Sequence, residues 1–218
     1  MPVKSPFYIV SDFISPKKCD EMVSKFTTTT PDADEDGNKK LMERFNEELE
    51  TELFGYLQNL LPELEEYYDC KYVGTEKMRF QQLPENPKDP HIKPGCQNSV
   101  FLRKKWVKVH DVDLTAILWL TDYNDDVPVD PRFEAYGGKL EFPQYNFSLV
   151  PQRGTLVVYP AGPHFVTATT PVLVSNIHQV RINMTIRTKD DGIWLYQPAN
   201  FGYDSKKGVL ESWFNDHI

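Results

Sequence analysis

Five side chains in this sequence stand out as candidates for holding a metal, moving a proton or gripping an anion: His91, His110, Asp113, His164 and Arg181. A neutral imidazole is a common metal ligand and titrates near neutral pH. A carboxylate completes many such metal sites. Arg181 offers a permanent charge and a planar fork that matches a carboxylate in two-pronged fashion. Each has a plainer reading as well: a loop histidine at the surface, an arginine on a solvent-facing strand. The decision between the readings rests on the elements that carry them.

His164 and Arg181 lie in residues 137–187, where short apolar runs (LEF, FSLV, TLVVYP, HFVTA, QVRINMTI) alternate with Gly-Gly, Pro-Gln-Arg-Gly and Ala-Gly-Pro. Strands separated by turn chemistry at this spacing belong to an antiparallel sandwich or barrel. His164 follows a turn after GTLVVYP. Arg181 sits in mid-strand, where Gln179, Arg181, Asn183 and Thr185 share one face and Val180, Ile182, Met184 and Ile186 the other. His91 belongs to PENPKDPHIKPGCQNS, a long proline-rich loop after the alternating strand KMRFQQL; loops of that length inside a compact fold usually serve function. His110 and Asp113 abut the run WVKVHDVDLTAILWLTDY, which carries two strands or one bent one. There Thr115, Ile117 and Trp119 face one way, and Ala116, Leu118 and Leu120 the other.

Ahead of this core the sequence predicts a short strand at 7–10 and a helix at 16–26 opened by Ser15-Pro16. The three-and-four spacing of Leu41, Phe45, Leu49, Leu53, Tyr56, Leu57 and Leu60 predicts an amphipathic helix over 40–61, with a second, shorter helix from Pro62 to about residue 68. Such apolar stripes must be covered, so these helices are expected to buttress a sheet. Residues 32–43 spell an EF-hand calcium loop ending at Glu43. Four threonines and Pro31 precede it where a helix is required, so an acidic surface loop is the better reading. The aromatic-rich tail, with Trp194, Tyr196, Phe201, Tyr203, Trp213 and Phe214, is expected to pack back on the domain or to present a patch to a partner.

One domain spanning residues 1–218, with its core at about 77–188, suits the length. The net charge of −8 and a pI near 5.2 give no basis for wrapping nucleic acid. The basic cluster Arg103, Lys104, Lys105 and Lys108 reads as a solvated edge or loop. Cys19, Cys70 and Cys96 form neither a disulfide framework nor a zinc pattern. With no secretory or membrane-spanning run, the expectation is a soluble, cytoplasmic protein that contacts no membrane.

The pieces TAILWL, Gly-Gly-x-Leu-x-Phe at 137–142, Gly-x-Leu-x-x-x-Pro at 154–160, His164 and the Arg181 strand occur in an order that resembles the Fe(II)- and 2-oxoglutarate-dependent dioxygenases. The prolyl 4-hydroxylase-like branch, including members encoded by large tailed phages, is the nearest likeness; a phage origin would place the protein in host cytoplasm. The resemblance implies an α+β fold, a double-stranded β-helix (jelly-roll or cupin-like) core with buttressing N-terminal helices. It implies Fe(II) and 2-oxoglutarate as cofactors, with ascorbate as an accessory reductant, and a protein or small-molecule substrate. Arg181 takes the place of the cation for the keto acid's far carboxylate, and His164 that of the distal metal histidine. Seventeen residues separate them where the family has nearer ten. The family's His-x-Asp or His-x-Glu is absent. His91 is one replacement, followed two residues on by Lys93. His110 with Asp113 is another. A third alignment lets GCQN fill the motif's place, with Gly95 and Gln97 where the histidine and the acid belong.

Two functions follow. One is an oxygenase that hydroxylates a substrate, a peptidyl proline or another protein side chain first among them, with succinate and CO2 as co-products. The other is a non-catalytic module on the same scaffold, used in binding or assembly.

Overall fold

The computed structural model describes residues 5–26, 40–103, 105–125, 128 and 130–188. The acidic stretch of the EF-hand spelling up to residue 39 and the aromatic tail lie outside them. In chain order the elements are β1 (Tyr8–Val10), α1 (Pro16–Phe26), β2 (Met42–Arg44), α2 (Glu47–Tyr68), β3 (Cys70–Thr75), β4 (Arg79–Leu83), β5 (Ser99–Leu102), β6 (Lys105–Lys108), β7 (Leu114–Trp119) and β8 (Asp122–Tyr123). There follow β9 (Glu134–Gly137), β10 (Leu140–Phe142), β11 (Phe147–Leu149), β12 (Leu156–Pro160), β13 (Ala168–Thr169), β14 (Val172–Val174) and β15 (Ile177–Thr188). The fold is α+β: mostly sheet, with two α-helices among the described residues.

The large sheet runs β1-β12-β7-β15-β4-β2, with β3 pairing the far end of β15. Smaller sheets, β11-β10-β13 and β14-β9-β8, lie over one of its faces. Alternation along β7 shows the layering. Ala116, Leu118 and Leu120 join a core with Leu49, Leu53, Leu57 and Leu64 of α2. Ile117 and Trp119 join a second core with Leu140 and Phe142 of the smaller sheets. Every residue of β7 is therefore buried, as expected of a strand covered on both sides.

Both helices begin as their sequences dictate. Ser15 Oγ accepts the Lys18 backbone N–H at 3.2 Å, with Pro16 in the first helical position. Asn46 Oδ1 accepts the Leu49 N–H at 3.1 Å. The helix expected over 40–61 is displaced, because Met42–Arg44 pairs instead with β4. Its expected end at Pro62 is absent too: α2 continues through Pro62 to Tyr68. The proline removes one backbone hydrogen bond, while burial of Leu60, Leu64 and Tyr68 holds the last turns on the sheet. Of the basic cluster, Lys105 and Lys108 are the two ends of β6 and Arg103 follows β5, in a two-stranded ribbon outside the other sheets. No described helix is long and apolar enough to cross a membrane.

Candidate functional site

On β15, Ile177 belongs to the core between the large and small sheets, whereas Val180, Ile182 and Met184 belong to the helix-side core. Alternation then sends Gln179, Arg181 and Asn183 toward the inter-sheet side. All three are largely withdrawn from water: Gln179 and Asn183 are buried, and the Arg181 side chain is 11% exposed. Polar groups so placed need partners, and neighbouring strands supply them. Gln179 Nε2 donates to Gln81 Oε1 at 2.8 Å. Gln81 Nε2 in turn donates to Glu43 Oε1. Asn183 accepts from Thr115 Oγ1 at 3.2 Å and donates to Glu76 Oε2 at 2.9 Å.

Arg181 is the hub. Nη1 donates to Gln97 Oε1 at 2.9 Å and Nη2 to Glu43 Oε1 at 3.3 Å. Burial lowers its pKa, as does the neighbouring Arg79 charge, and the Glu43 carboxylate acts in the opposite direction; a guanidinium remains charged regardless. Burial pushes the nearby Tyr159 phenol up to about 12, against the pull of Arg181's charge and a hydrogen bond with Thr167. Tyr159 is therefore neutral at physiological pH. Beside this network opens a cavity of about 190 Å3, lined by Glu76, Arg79, Cys96, Gln97, Asn183 and His110 among others. The Cys96 thiol donates to Ser99 O at 3.3 Å, and burial pushes its pKa up to about 11, so it is no nucleophile at neutral pH. A wider groove of about 770 Å3 between α2 and β3 is lined by Pro62, Glu65, Lys71 and Arg187 and includes none of the network.

The metal candidates are placed one by one. His164 lies in the 3-10 turn Pro163–Phe165 between β12 and β13; its pKa is lowered by burial. His91 stays in the long loop, its Nε2 2.5 Å from Pro84 O. His110 is exposed, with its backbone N–H on Asn98 O at 3.2 Å. Asp113 is buried and structural in its contacts, Oδ2 accepting the Ile186 N–H at 3.0 Å. Among the described residues no three His, Cys, Asp or Glu side chains come close enough together to hold a metal ion.

Strand pairing shows what surrounds Gly95 and Gln97, the pair that the third alignment sets in the place of the metal motif. Gly95 bridges to Thr167, with N–O distances of 3.0 and 2.8 Å in the two directions. The residue opposite Gly95 is thus Thr167, three positions beyond His164. Gln97, two residues after Gly95, reaches Arg181. On that alignment, a glycine, an amide, a threonine and a guanidinium are gathered there. This donor set does not fit Fe(II): it supplies no anionic oxygen, and the fixed positive charge beside Gln97 opposes a dication.

Sequence reasoning placed Gln97 among its alternatives but missed Glu43, Gln81, Tyr159 and Thr167. Glu43 was legible only as the last letter of a calcium-loop spelling. Thr167 carried no signal, because its partner Gly95 is far away along the chain and meets it only in the folded state.

No family model and no curated protein sequence matches the chain. Solved structures do. A viral collagen prolyl hydroxylase from Paramecium bursaria Chlorella virus 1, solved as its 2OG complex, superposes with a TM-score of 0.60 at 12% identity, covering 83% of this chain and 95% of that one. A prolyl-4-hydroxylase from Pseudomonas putida gives 0.56 at 10% identity, over 83% of this chain and 92% of its own. A prolyl hydroxylase from Trichoplax adhaerens, in complex with a hypoxia-inducible-factor oxygen degradation domain peptide fragment, gives 0.55 at 12% over 87% of each. At these identities the shared property is the fold.

Proposed function

We propose that this chain is a double-stranded β-helix of the prolyl hydroxylase shape, one domain throughout, that works as a binding module without iron. The ligand enters at the polar end of the space between its sheets, around Arg181. The observation that carries this reading is the Arg181–Gln97 hydrogen bond of 2.9 Å. On the alignment that sets Gly95 and Gln97 in the place of the metal motif, it puts an amide and a fixed cation there.

The scaffold explains why such a site persists without a metal. Antiparallel pairing of β15 with β4 and β7 fixes Arg181 between two strands, while Gln97 and, from β2, Glu43 satisfy its guanidinium. The same hydrogen-bonded frame then orients a ligand through directed donors rather than through coordination.

A second reading, an Fe(II)- and 2-oxoglutarate-dependent oxygenase acting on a protein side chain, is favoured by the likeness to the prolyl hydroxylases. Anaerobic mixing of the full chain with Fe(II) and 2-oxoglutarate separates the two. The expected result is no visible metal-to-ligand absorbance band. A band that saturates at one iron per chain would establish the oxygenase reading instead.

A further inference from the structure

Among the described residues, the β5–β6 ribbon pairs with no other strand. Its foot is tied to the body: Gln97 and Asn98 donate their backbone N–H groups to Ala161 O at 3.2 and 3.3 Å, and Val109 donates to Asn98 O at 2.8 Å. A two-stranded hairpin left to itself is marginally stable in water. The register sets Val100 opposite Val107 and Leu102 opposite Lys105, and cross-strand partners share a face. Alternation adds Val109 to that face. Val100, Leu102, Val107 and Val109 are each 40% exposed or more. Single apolar side chains at a surface are ordinary; four on one face of a ribbon form a patch that calls for a cover.

The ribbon's charge is as one-sided as its apolar face. Residues 99–108 hold Arg103, Lys104, Lys105 and Lys108 and no acid, in a chain of net charge −8. Lys108 is engaged by Asp111 at 3.0 Å, whereas Arg103 and Lys105 stand exposed at the turn. A suitable cover is therefore apolar and acidic together.

β15 brings such a segment to this place. Thr185 Oγ1 donates to Asp111 O at 2.6 Å, and the Ile186 N–H to Asp113 Oδ2 at 3.0 Å. The strand thus runs out beside the residues that lead from β6 to β7. It ends at Thr188, and thirty further residues follow in the sequence. Between residues 190 and 204 they include Asp190, Asp191 and Asp204, no lysine or arginine, and the aromatic residues Trp194, Tyr196, Phe201 and Tyr203. Five residues of extended chain cover about 17 Å, so the run beginning at Ile193 comes within reach of a ribbon whose strands span about 13 Å.

We propose that residues 193–203 of the chain's own tail dock on this face of the ribbon. Their aromatic side chains cover Val100, Leu102, Val107 and Val109, and the flanking aspartates neutralise Arg103 and Lys105. The contact is independent of what binds at Arg181.

The test places a photo-cross-linker on the face, as Val107→p-benzoylphenylalanine in the full chain. Isotope-light and isotope-heavy chains are mixed equally, irradiated, digested and mapped by mass. The expected result is cross-links to residues 193–203 within light chains and within heavy chains. Mixed light–heavy links would assign the face to a contact between copies and overturn the proposal, as would the absence of links to the tail. Leu102→p-benzoylphenylalanine, on the opposite strand, serves if the first variant fails to fold. Amide exchange gives a second readout. In the full chain carrying Trp194→Ser and Tyr196→Ser, the β5 and β6 amides should exchange roughly tenfold faster, with β7 and β15 unchanged. Equal protection of the ribbon in native and variant chains would overturn the docking as well.

Discussion

His178 carries the sharpest pH consequence in the molecule. It is 2% exposed on β15, its backbone N–H donating to Thr121 Oγ1 at 2.9 Å. Burial lowers its pKa from the ordinary 6.5 to about 4. Between those two values the unfolded chain takes up a proton and the folded chain does not. The stability contributed is therefore complete above pH 6.5 and drains away as the pH falls toward 4, by roughly 3 kcal/mol in all. Urea titrations at pH 7 and pH 4.5 should show the native chain losing about 2 kcal/mol more than His178→Gln, which cannot titrate. Parallel losses would contradict it. At this scale the sequence was partly legible. Alternation assigned Arg181 the company of Gln179 and Asn183 without any structure. It could not show Glu43, 138 residues away, because a contact at that separation exists only after β2 and β15 have both joined β4.

The two helices were read with unequal success, for physical reasons. The leucine stripe of α2 was plain, and its Leu53 is fully buried in the helix-side core. Leu53→Ala should cost about 2–5 kcal/mol in denaturant-measured stability. Asn46→Ala, which removes only the N-cap acceptor, should cost about 1 kcal/mol. A smaller effect for Leu53 than for Asn46 would mean that α2 is held by its cap rather than by the sheet. The start of α2 was misread because Leu41, Phe45 and Leu49 extend the same spacing backwards. Strand pairing of Met42–Arg44 with β4 outweighs that local pattern. The run past Pro62 is the converse case, where burial of Leu64 and Tyr68 overrides a local helix breaker. β3 had no distinct signal, since CKYVGT alternates weakly and gains its place only by pairing with the end of β15.

Across the whole molecule, β7 and β15 organise everything else: they lie side by side at the middle of the large sheet, with β12 and β4 outside them. The turn-punctuated strands made a β-rich core readable, though not the order of its strands, and the likeness to three prolyl hydroxylase structures agrees with such a core. The site was less readable because fold and donor set vary independently. The scaffold fixes where Gly95 meets Thr167 and where Gln97 meets Arg181, while the residue types at such positions decide what they can bind. Mn(II), whose aqueous ion has a distinctive six-line paramagnetic resonance, probes that decision directly. Titrated into the full chain with 2-oxoglutarate under anaerobic conditions, the added Mn(II) should keep its full aqueous signal apart from what a matched metal and keto-acid blank removes. Loss of that signal beyond the blank, saturating at one ion per chain, would contradict an iron-free site centred on Arg181.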